Sequence, residues 1–301
     1  MTYKRPLVIA HRGASAYLPE HTLAGKAMAH AMGADFLEQD VVATRDGVLI
    51  VFHDLHLDDL TDVAIRFPGR ARADGRHYCI DFDLGEIRQL SLTERRRAGQ
   101  AQTRWPGRFP AGAGSFSIPT LEEEIRFVHG LNHSTGRCVG IYPEIKAPAW
   151  HHEHGMDLAA EMVAVLGRYA YLGPADAAII QCFDCAELRR VREQLGCRLR
   201  LVQLLEDELP ATSGLQTIRQ YADGIGPDLR QLLGTGLLAD AHRSGLQVHP
   251  YTVRVDALPP GIGSLAELIE ALCREEPVDA LFTDFPDRVL AYLNQRVAGP
   301  S

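Results

Sequence analysis

The sequence predicts a (β/α)8 barrel because short apolar runs, typical of buried strands, alternate with segments of helical periodicity. Eight such runs occur, each followed by a helical segment, and eight parallel strands close this kind of barrel. The alternative is an open, doubly wound sheet, but no glycine-rich phosphate-binding fingerprint follows the first strand. The predicted strands are 6–10, 36–42, 140–146, 178–183, 198–205, 224–227, 247–253 and 280–284.

The helical segments begin and end at residues that commonly terminate helices. Leu23 to Met32 has apolar residues at helical spacing and stops at Gly33. Thr120 is placed to cap a helix whose first turn holds three glutamates, which suit the positive end of the helix dipole. The predicted helices are 23–32, 120–128, 156–169, 186–195, 217–221, 237–244, 265–275 and 287–296.

An insertion follows the second strand. An Arg-Asp-Gly sequence at 45–47 predicts a tight turn, and residues 48–52 form another apolar run. Because this link is too short for a parallel crossover, the run must be an antiparallel excursion from the barrel. Residues 55–118 are rich in Arg, Gly and Pro and lack periodicity, which predicts a small inserted subdomain in a single domain of residues 1–301. The three arginines at 95–97 are most simply a solvated face.

Composition limits the classes of partner. The 301 residues carry a net charge of −8 with a pI near 5.9, which argues against a nucleic-acid partner, because such a partner needs a basic face. No apolar run approaches the roughly 18 residues of a transmembrane helix, so stable membrane insertion is not expected. The run at 7–10 is too short for a signal peptide, which predicts a cytoplasmic protein if the chain starts at its native residue. The oligomeric state stays open.

Acidic side chains occur where the predicted strands end. Glu38 and Asp40 are two residues apart on the second strand, so they share one face, and Glu144 lies near the end of the third. In such barrels the carboxyl ends of the strands meet at one mouth. Neighbouring carboxylates repel each other, and a bound cation relieves the repulsion. Three hard oxygen ligands favour one divalent cation, Ca²⁺ or Mg²⁺, over zinc.

Basic side chains accompany these acids. His11 and Arg12 follow the first strand, Lys146 lies two residues beyond Glu144, and the excursion ends at His53. Arg12 and Lys146 suit a phosphate group, and the histidines can exchange protons near neutral pH. With a hard cation these residues form a set for cleaving a phosphodiester. One histidine would take a proton from the attacking hydroxyl, and the other would give a proton to the leaving oxygen.

Other strand ends supply candidate substrate contacts. Gln181 and Phe183 lie at the end of the fourth strand, and Asp284 ends the eighth. Tyr251 lies at the end of the seventh strand, where it is either a core residue or a wall of the substrate pocket. Seven short motifs stand out in chain order: His11-Arg12-Gly13, Pro19-Glu20-His21-Thr22, Glu38-x-Asp40, Thr44-x-Asp46-Gly47, His53-Asp54, Glu144-x-Lys146 and Thr283-Asp284-Phe285-Pro286.

In this order the motifs resemble the glycerophosphodiester phosphodiesterase family, nearly from end to end of the chain. Residues 64–72 and 130–136 resemble its bacterial periplasmic branch, which implies a periplasmic location. Many members have Asn where this chain has His21. The resemblance implies a TIM barrel, a divalent cation, and hydrolysis of glycerophosphodiesters such as glycerophosphocholine or glycerophosphoethanolamine to sn-glycerol 3-phosphate and an alcohol.

The resemblance also implies a role for each candidate residue. The implied roles are metal binding for Glu38, Asp40 and Glu144, acid–base catalysis for His11 and His53, and phosphate or substrate binding for Arg12, Lys146, Glu20, Gln181, Phe183 and Tyr251. Two alternatives remain. A lysophospholipase D acting on lipids would need an apolar rim, whereas the insertion is polar and rich in arginine. A binding protein without activity would have a broken site, and no catalytic position departs from the pattern.

Overall fold

The computed structural model describes residues 5–97, 100, 102–206, 212–274 and 276–298, and it confirms the predicted barrel. Eight parallel strands form one sheet in the order β8-β7-β6-β5-β4-β2-β1-β9, and β3 pairs antiparallel with β2 as the predicted excursion. The strands are β1 (Leu7–Ala10), β2 (Phe36–Ala43), β3 (Leu49–Val51), β4 (Gly140–Ile145), β5 (Ile179–Cys182), β6 (Arg200–Leu204), β7 (Gly224–Gly226), β8 (Gln247–Val248) and β9 (Ala280–Thr283).

The two edges of this sheet meet between β8 and β9. The regular part of β8 is shorter than the predicted strand 247–253, because the chain beyond Val248 pairs irregularly with β9. Phe282 N donates to Pro250 O at 3.0 Å, and Val253 N donates to Phe282 O at 2.8 Å. These bonds bring β9 next to the chain that continues from β8, so the carboxyl ends of all eight parallel strands surround one mouth.

Helices cover the outside of the barrel. Thr120 caps α4 as predicted, with its hydroxyl accepting from Glu123 N, and Gly33 ends α1 in the left-handed region at φ 106°. Glu275, the predicted end of one helix, and residues 1–4 and 299–301 of the predicted domain lie outside the described residues. The helices are α1 (Leu23–Met32), α2 (Val63–Arg66), α3 (Leu84–Ile87), α4 (Leu121–Thr135), α5 (Pro148–Glu153), α6 (Leu158–Arg168), α7 (Cys185–Glu193), α8 (Thr212–Arg219), α9 (Leu229–Leu232), α10 (Leu237–Arg243), α11 (Leu265–Cys273) and α12 (Pro286–Ala298), with a 3₁₀ turn at Cys79–Asp81.

Residues between β3 and α4 form a small unit with its own apolar cluster. Phe52, Leu57, Phe82 and Leu92 are buried in it, separate from the larger cluster between the barrel and its helices. The unit contains the short helices α2 and α3 and few other regular elements. Within the described residues, no helix has both the length and the apolar character needed to cross a bilayer.

A buried ion pair supports β2 from behind. Lys26 on α1 and Glu124 on α4 are fully buried, and their Nζ and Oε1 atoms lie 2.6 Å apart. Lys26 also donates to the backbone carbonyl of Glu38, and Gln39 Nε2 donates to Glu124 Oε1 at 2.7 Å. Gln39 lies on the opposite face of β2 from Glu38 and Asp40. The network therefore fixes the strand that carries both acids.

Replacing this lysine tests how strongly the network supports the fold. We expect Lys26→Met to lower the free energy of unfolding by about 3–5 kcal/mol, because Glu124 would remain buried without its cation. The double variant Lys26→Met/Glu124→Leu removes both charges and should recover most of that loss. Urea denaturation of the wild type and the two variants makes the comparison. Equal losses of unfolding free energy in the single and double variants would contradict the role given to the Lys26–Glu124 pair.

Candidate active site

A cavity of about 200 Å³ opens at the mouth of the barrel, at the carboxyl ends of the strands. Every residue that the sequence nominated lines it, except Glu20 and Asp284. The barrel geometry accounts for this convergence, because parallel strands end on the same side. The nominated residues in the cavity wall are His11, Arg12, Glu38, Asp40, His53, Glu144, Lys146, Gln181, Phe183 and Tyr251.

Three carboxylates from neighbouring strands meet at the floor of this cavity. Asp40 on β2 pairs in register with Glu144 on β4, and Glu38 lies two residues earlier on β2. One oxygen from each of the three lies within 4.8 Å of the others, and all three side chains are buried. The fixed register of two adjacent strands therefore creates the cluster.

The buried acids influence each other's ionisation. Burial, with the nearby charge of Asp40, raises the pKa of Glu38 well above its usual value. Burial also raises the pKa of Glu144 to about 7, although Lys146 opposes it. For Asp40 burial acts in the same direction, but the charges of Lys146, His53 and Arg12 outweigh it and hold the pKa well below the usual value. The three carboxylates therefore repel one another in the absence of a bound cation.

These residues fit a hard divalent cation. Asp40 Oδ1 is buried and accepts no hydrogen bond from any described residue, although the other carboxylate oxygen accepts one from His21 Nε2 at 2.8 Å. Glu38 keeps its place through bonds from Arg12 N at 2.8 Å and Gln181 Nε2 at 3.0 Å. Three oxygen donors held in place by neighbours are the ligand set that Mg²⁺ or Ca²⁺ takes. The cluster is therefore a candidate cation site.

His11 forms a pair with Asp284 at one side of the cavity. Its Nδ1 lies 2.6 Å from Asp284 Oδ1, and its Nε2 lies 3.9 Å from Glu38 Oε2. Burial lowers the pKa of His11 to about 4, although the charge of Asp284 opposes this effect. The imidazole is therefore neutral near pH 7. With Nδ1 bonded to the aspartate, Nε2 is the atom directed toward the carboxylates.

His53 forms a second pair with its neighbour Asp54. His53 Nδ1 lies 2.5 Å from Asp54 Oδ1. Burial lowers the pKa of His53 to about 4, and the charges of Arg12 and Lys146 act in the same direction. The cavity therefore holds two neutral histidines, each with an aspartate on Nδ1 and Nε2 left for proton transfer.

Arg12 adopts an uncommon backbone conformation at the edge of the site. Its φ of 60° lies in the left-handed region, as does that of His21. Non-glycine residues in this region cost free energy and are found where the surrounding structure holds them for function. The conformation directs Arg12 N at Glu38 while Arg12 NH1 reaches Glu20 Oε1 at 2.8 Å. Lys146 lies opposite, with Nζ 2.7 Å from Glu144 Oε1.

The insertion adds an arginine to each histidine–aspartate pair. Arg95 NH1 donates to Asp54 Oδ2 at 2.7 Å, and Arg108 NH2 lies 2.8 Å from Asp284 Oδ2. Arg95 also binds Glu20 through Nε at 2.9 Å and NH2 at 2.7 Å. The prediction that 95–97 is a solvated face is therefore wrong for Arg95, which is buried and pairs with the partly buried acids Asp54 and Glu20.

Sequence patterns did not reveal these arginines or the partner of His11. Asp284 and His11 are 273 residues apart, and only closure of the barrel brings them together. Arg95 and Arg108 lie in a segment without periodicity, so no signal marked their side chains as buried. Glu20 lies beside the cavity, not in its wall, because Arg12 and Arg95 hold its carboxylate.

A (β/α)8 barrel with buried carboxylates, histidine–aspartate pairs and cations at its mouth is the arrangement of an enzyme that binds an anion and moves protons. The chain belongs to the glycerophosphoryl diester phosphodiesterase family, whose model matches residues 11–288. This finding confirms the resemblance that the motifs indicated.

Known relatives cover the chain almost completely. The glycerophosphodiester phosphodiesterase of Haemophilus influenzae is 42% identical, over 95% of this chain and 89% of its own. That of Treponema pallidum is 35% identical, over 96% and 92%. A solved structure from Silicibacter pomeroyi, described as a glycerophosphoryl diester phosphodiesterase, has a TM-score of 0.75 and 27% identity over 97% of this chain and 94% of that one.

A more distant structure shares the fold. An Oleispira antarctica phosphodiesterase, solved in complex with the product sn-glycerol-3-phosphate, has a TM-score of 0.70 and 21% identity, over 97% of this chain and 98% of that one.

Replacing Arg95 tests whether the insertion supports the site. We expect Arg95→Met to lower kcat by about tenfold or more, because Asp54 and Glu20 lose a buried partner and no longer orient His53 and Arg12. Arg97→Met is the matched control, since Arg97 belongs to the same arginine run but is exposed. Turnover of a phosphodiester substrate and thermal unfolding are measured for both. Equal turnover in the two variants would contradict the role given to Arg95.

Proposed function

We propose that this enzyme uses one divalent cation to hydrolyse glycerophosphodiesters, such as glycerophosphocholine and glycerophosphoethanolamine, to sn-glycerol 3-phosphate and an alcohol. The observation that carries the proposal is the convergence of Glu38, Asp40 and Glu144 between two histidine–aspartate pairs. The product complex of the Oleispira antarctica neighbour supports sn-glycerol 3-phosphate as product.

Cationic side chains would hold the substrate's phosphate beside the carboxylates. Arg12 Nε lies 3.3 Å from Asp40 Oδ2 but makes no hydrogen bond within the described part of the chain, so its N–H can donate to a phosphate oxygen. Lys146 Nζ lies 2.7 Å from Glu144 and 3.7 Å from Asp40, close to where that phosphate would lie. When bound, the cation would offset charge that develops on the phosphoryl oxygens.

The two histidines would carry the protons. Both are neutral near pH 7, so each can accept a proton on Nε2. One of them takes the proton of the attacking hydroxyl, and its aspartate stabilises the imidazolium that forms. The other takes up a proton from solvent on Nε2 when the negative charge of the bound phosphodiester raises its pKa, and it donates this proton to the leaving oxygen. Asp284 and Asp54 keep His11 and His53 in the required orientation.

Removal of the cation tests the proposal directly. Chelated protein should release no sn-glycerol 3-phosphate from glycerophosphocholine, and added Ca²⁺ or Mg²⁺ should restore release, because three carboxylates without a cation would repel the phosphate. Glu38→Gln should lose most of the restored activity, whereas Glu161→Gln, at an exposed position on α6, should keep it. Full activity in the presence of chelator would show that the reaction needs no cation. Faster hydrolysis of lysophosphatidylcholine than of glycerophosphocholine would favour a lipid substrate.

Single replacement of either histidine tests the acid–base assignment. We expect His11→Ala and His53→Ala each to lower kcat by about 10²–10⁴, the range that one general acid or base contributes. His133→Ala on α4 is the control, since His133 is exposed and does not line the cavity. Steady-state rates with the cation present supply the numbers. Unchanged kcat in either variant would remove that histidine from the mechanism.

A further inference from the structure

A second cavity, of about 130 Å³, lies next to the barrel mouth and is walled by the insertion. We call it the arginine cavity and define it by Glu94, Arg95, Arg104, Trp105 and Arg108 from the insertion. His11, Arg12 and Arg254 line both this cavity and the one at the mouth. The two cavities therefore meet at the residues that would surround the phosphate.

Glu94 is a buried acid of this cavity with one unused hydrogen-bond acceptor. The residue is 4% exposed, yet its Oε2 atom has no hydrogen-bond partner among the described residues. Burial, with the charge of Glu20, raises the pKa of Glu94 to about 7. A buried carboxyl oxygen without a partner is costly, and a hydroxyl group in the cavity would satisfy it.

The cationic side chains of the cavity differ in how they are paired. Arg95 and Arg108 are held by carboxylates, whereas Arg104 makes no ion pair in the described structure. The pKa of Arg104 is lowered by burial and by the charges of Arg95, Arg254 and Arg12. Its guanidinium can therefore donate hydrogen bonds to an incoming group. Glu94 and Arg104 together offer an acceptor and a donor in one cavity.

Trp105 does not provide a free aromatic face for a cation. The guanidinium carbon of Arg108 lies 4.3 Å from the centre of its ring, and those of Arg104 and Arg254 lie 5.6 Å and 5.8 Å away. Guanidinium groups already occupy the aromatic face that a quaternary ammonium group, which donates no hydrogen bond, would need. The cavity is therefore unfavourable for choline and suits a neutral group with several hydroxyls.

We propose that the arginine cavity binds the leaving alcohol of the diester and selects polyhydroxylated alcohols over quaternary ammonium alcohols. A phosphodiester has two arms, and the two cavities diverge from the shared residues His11, Arg12 and Arg254. The mouth cavity is lined by residues at the ends of the barrel strands, whereas the arginine cavity is walled by the insertion and includes Arg104, which is exposed. The arm that differs between substrates is assigned to the cavity that the insertion walls. This assignment rests on the proposed function.

The test compares two diesters that differ only in the alcohol. For glycerophosphoglycerol and glycerophosphocholine, kcat/KM is measured with the restored cation for wild type, Glu94→Gln and Arg104→Met. The matched control is Arg126→Met on α4, which also removes an exposed arginine. We expect wild type to prefer glycerophosphoglycerol. Each cavity variant should lose about tenfold on that substrate and less than about twofold on glycerophosphocholine, because a leaving glycerol uses the lost hydrogen bond and a leaving choline does not.

Several results would overturn this assignment. Equal losses on the two substrates would indicate a merely structural role, and no loss on either would remove the cavity from substrate binding. A greater loss on glycerophosphocholine would make the cavity an ammonium site instead. If circular dichroism shows that Glu94→Gln is unfolded, the result for Arg104→Met decides whether the cavity binds the alcohol. Arg104 is exposed, so its replacement should leave the fold intact. If folded wild type with the cation hydrolyses neither diester, the proposed function itself is contradicted. This outcome distinguishes failure of the proposed function from failure of the cavity assignment.

Discussion

The repulsion among three buried carboxylates is the constraint on which the rest of the site depends. Strands β2 and β4 place Glu38, Asp40 and Glu144 together where water cannot screen them. Much of the surrounding structure offsets their charge or holds them in place. Lys146 and Arg12 bring positive charge close to Asp40, and the backbone of the first strand-to-helix turn donates to Glu38. Behind the strand, the Lys26–Glu124 pair keeps β2 in position. The protein thus maintains an arrangement that a bound cation would complete.

The insertion is part of the active-site structure and not merely a cover. It supplies Arg95 and Arg108, one to the aspartate behind each histidine, so both candidate proton carriers depend on a segment outside the barrel. A further contact ties the insertion to the barrel. Tyr78 stacks on Trp150 of α5, with ring centres 5.6 Å apart, and the Arg72 guanidinium lies 4.4 Å from the Tyr78 ring. This contact helps to hold the insertion, and with it Arg95 and Arg108, against the barrel.

The sequence predicted the barrel and the residues at its mouth because both follow from short-range rules. Alternation of strands and helices gave the fold, and the period of two within a strand placed Glu38 beside Asp40. Such rules do not predict the pairing of His11 with Asp284, because that pair depends on how the first and last strands meet. The burial of Arg95 was missed for a related reason. Its acid partners Asp54 and Glu20 are 41 and 75 residues away, and an arginine run with no visible partner resembles a solvated surface.

The most direct test is the thermal unfolding midpoint of chelated wild type and Glu144→Gln, each measured with and without added Ca²⁺ or Mg²⁺. A cation that binds only the folded state raises the midpoint, so wild type should gain stability. Glu144→Gln removes one ligand and one repulsive charge. Without the cation it should be at least as stable as wild type, and the cation should then stabilise it little. A wild-type midpoint unaffected by either cation, or the same increase in both proteins, would contradict the assignment of these carboxylates to a cation site.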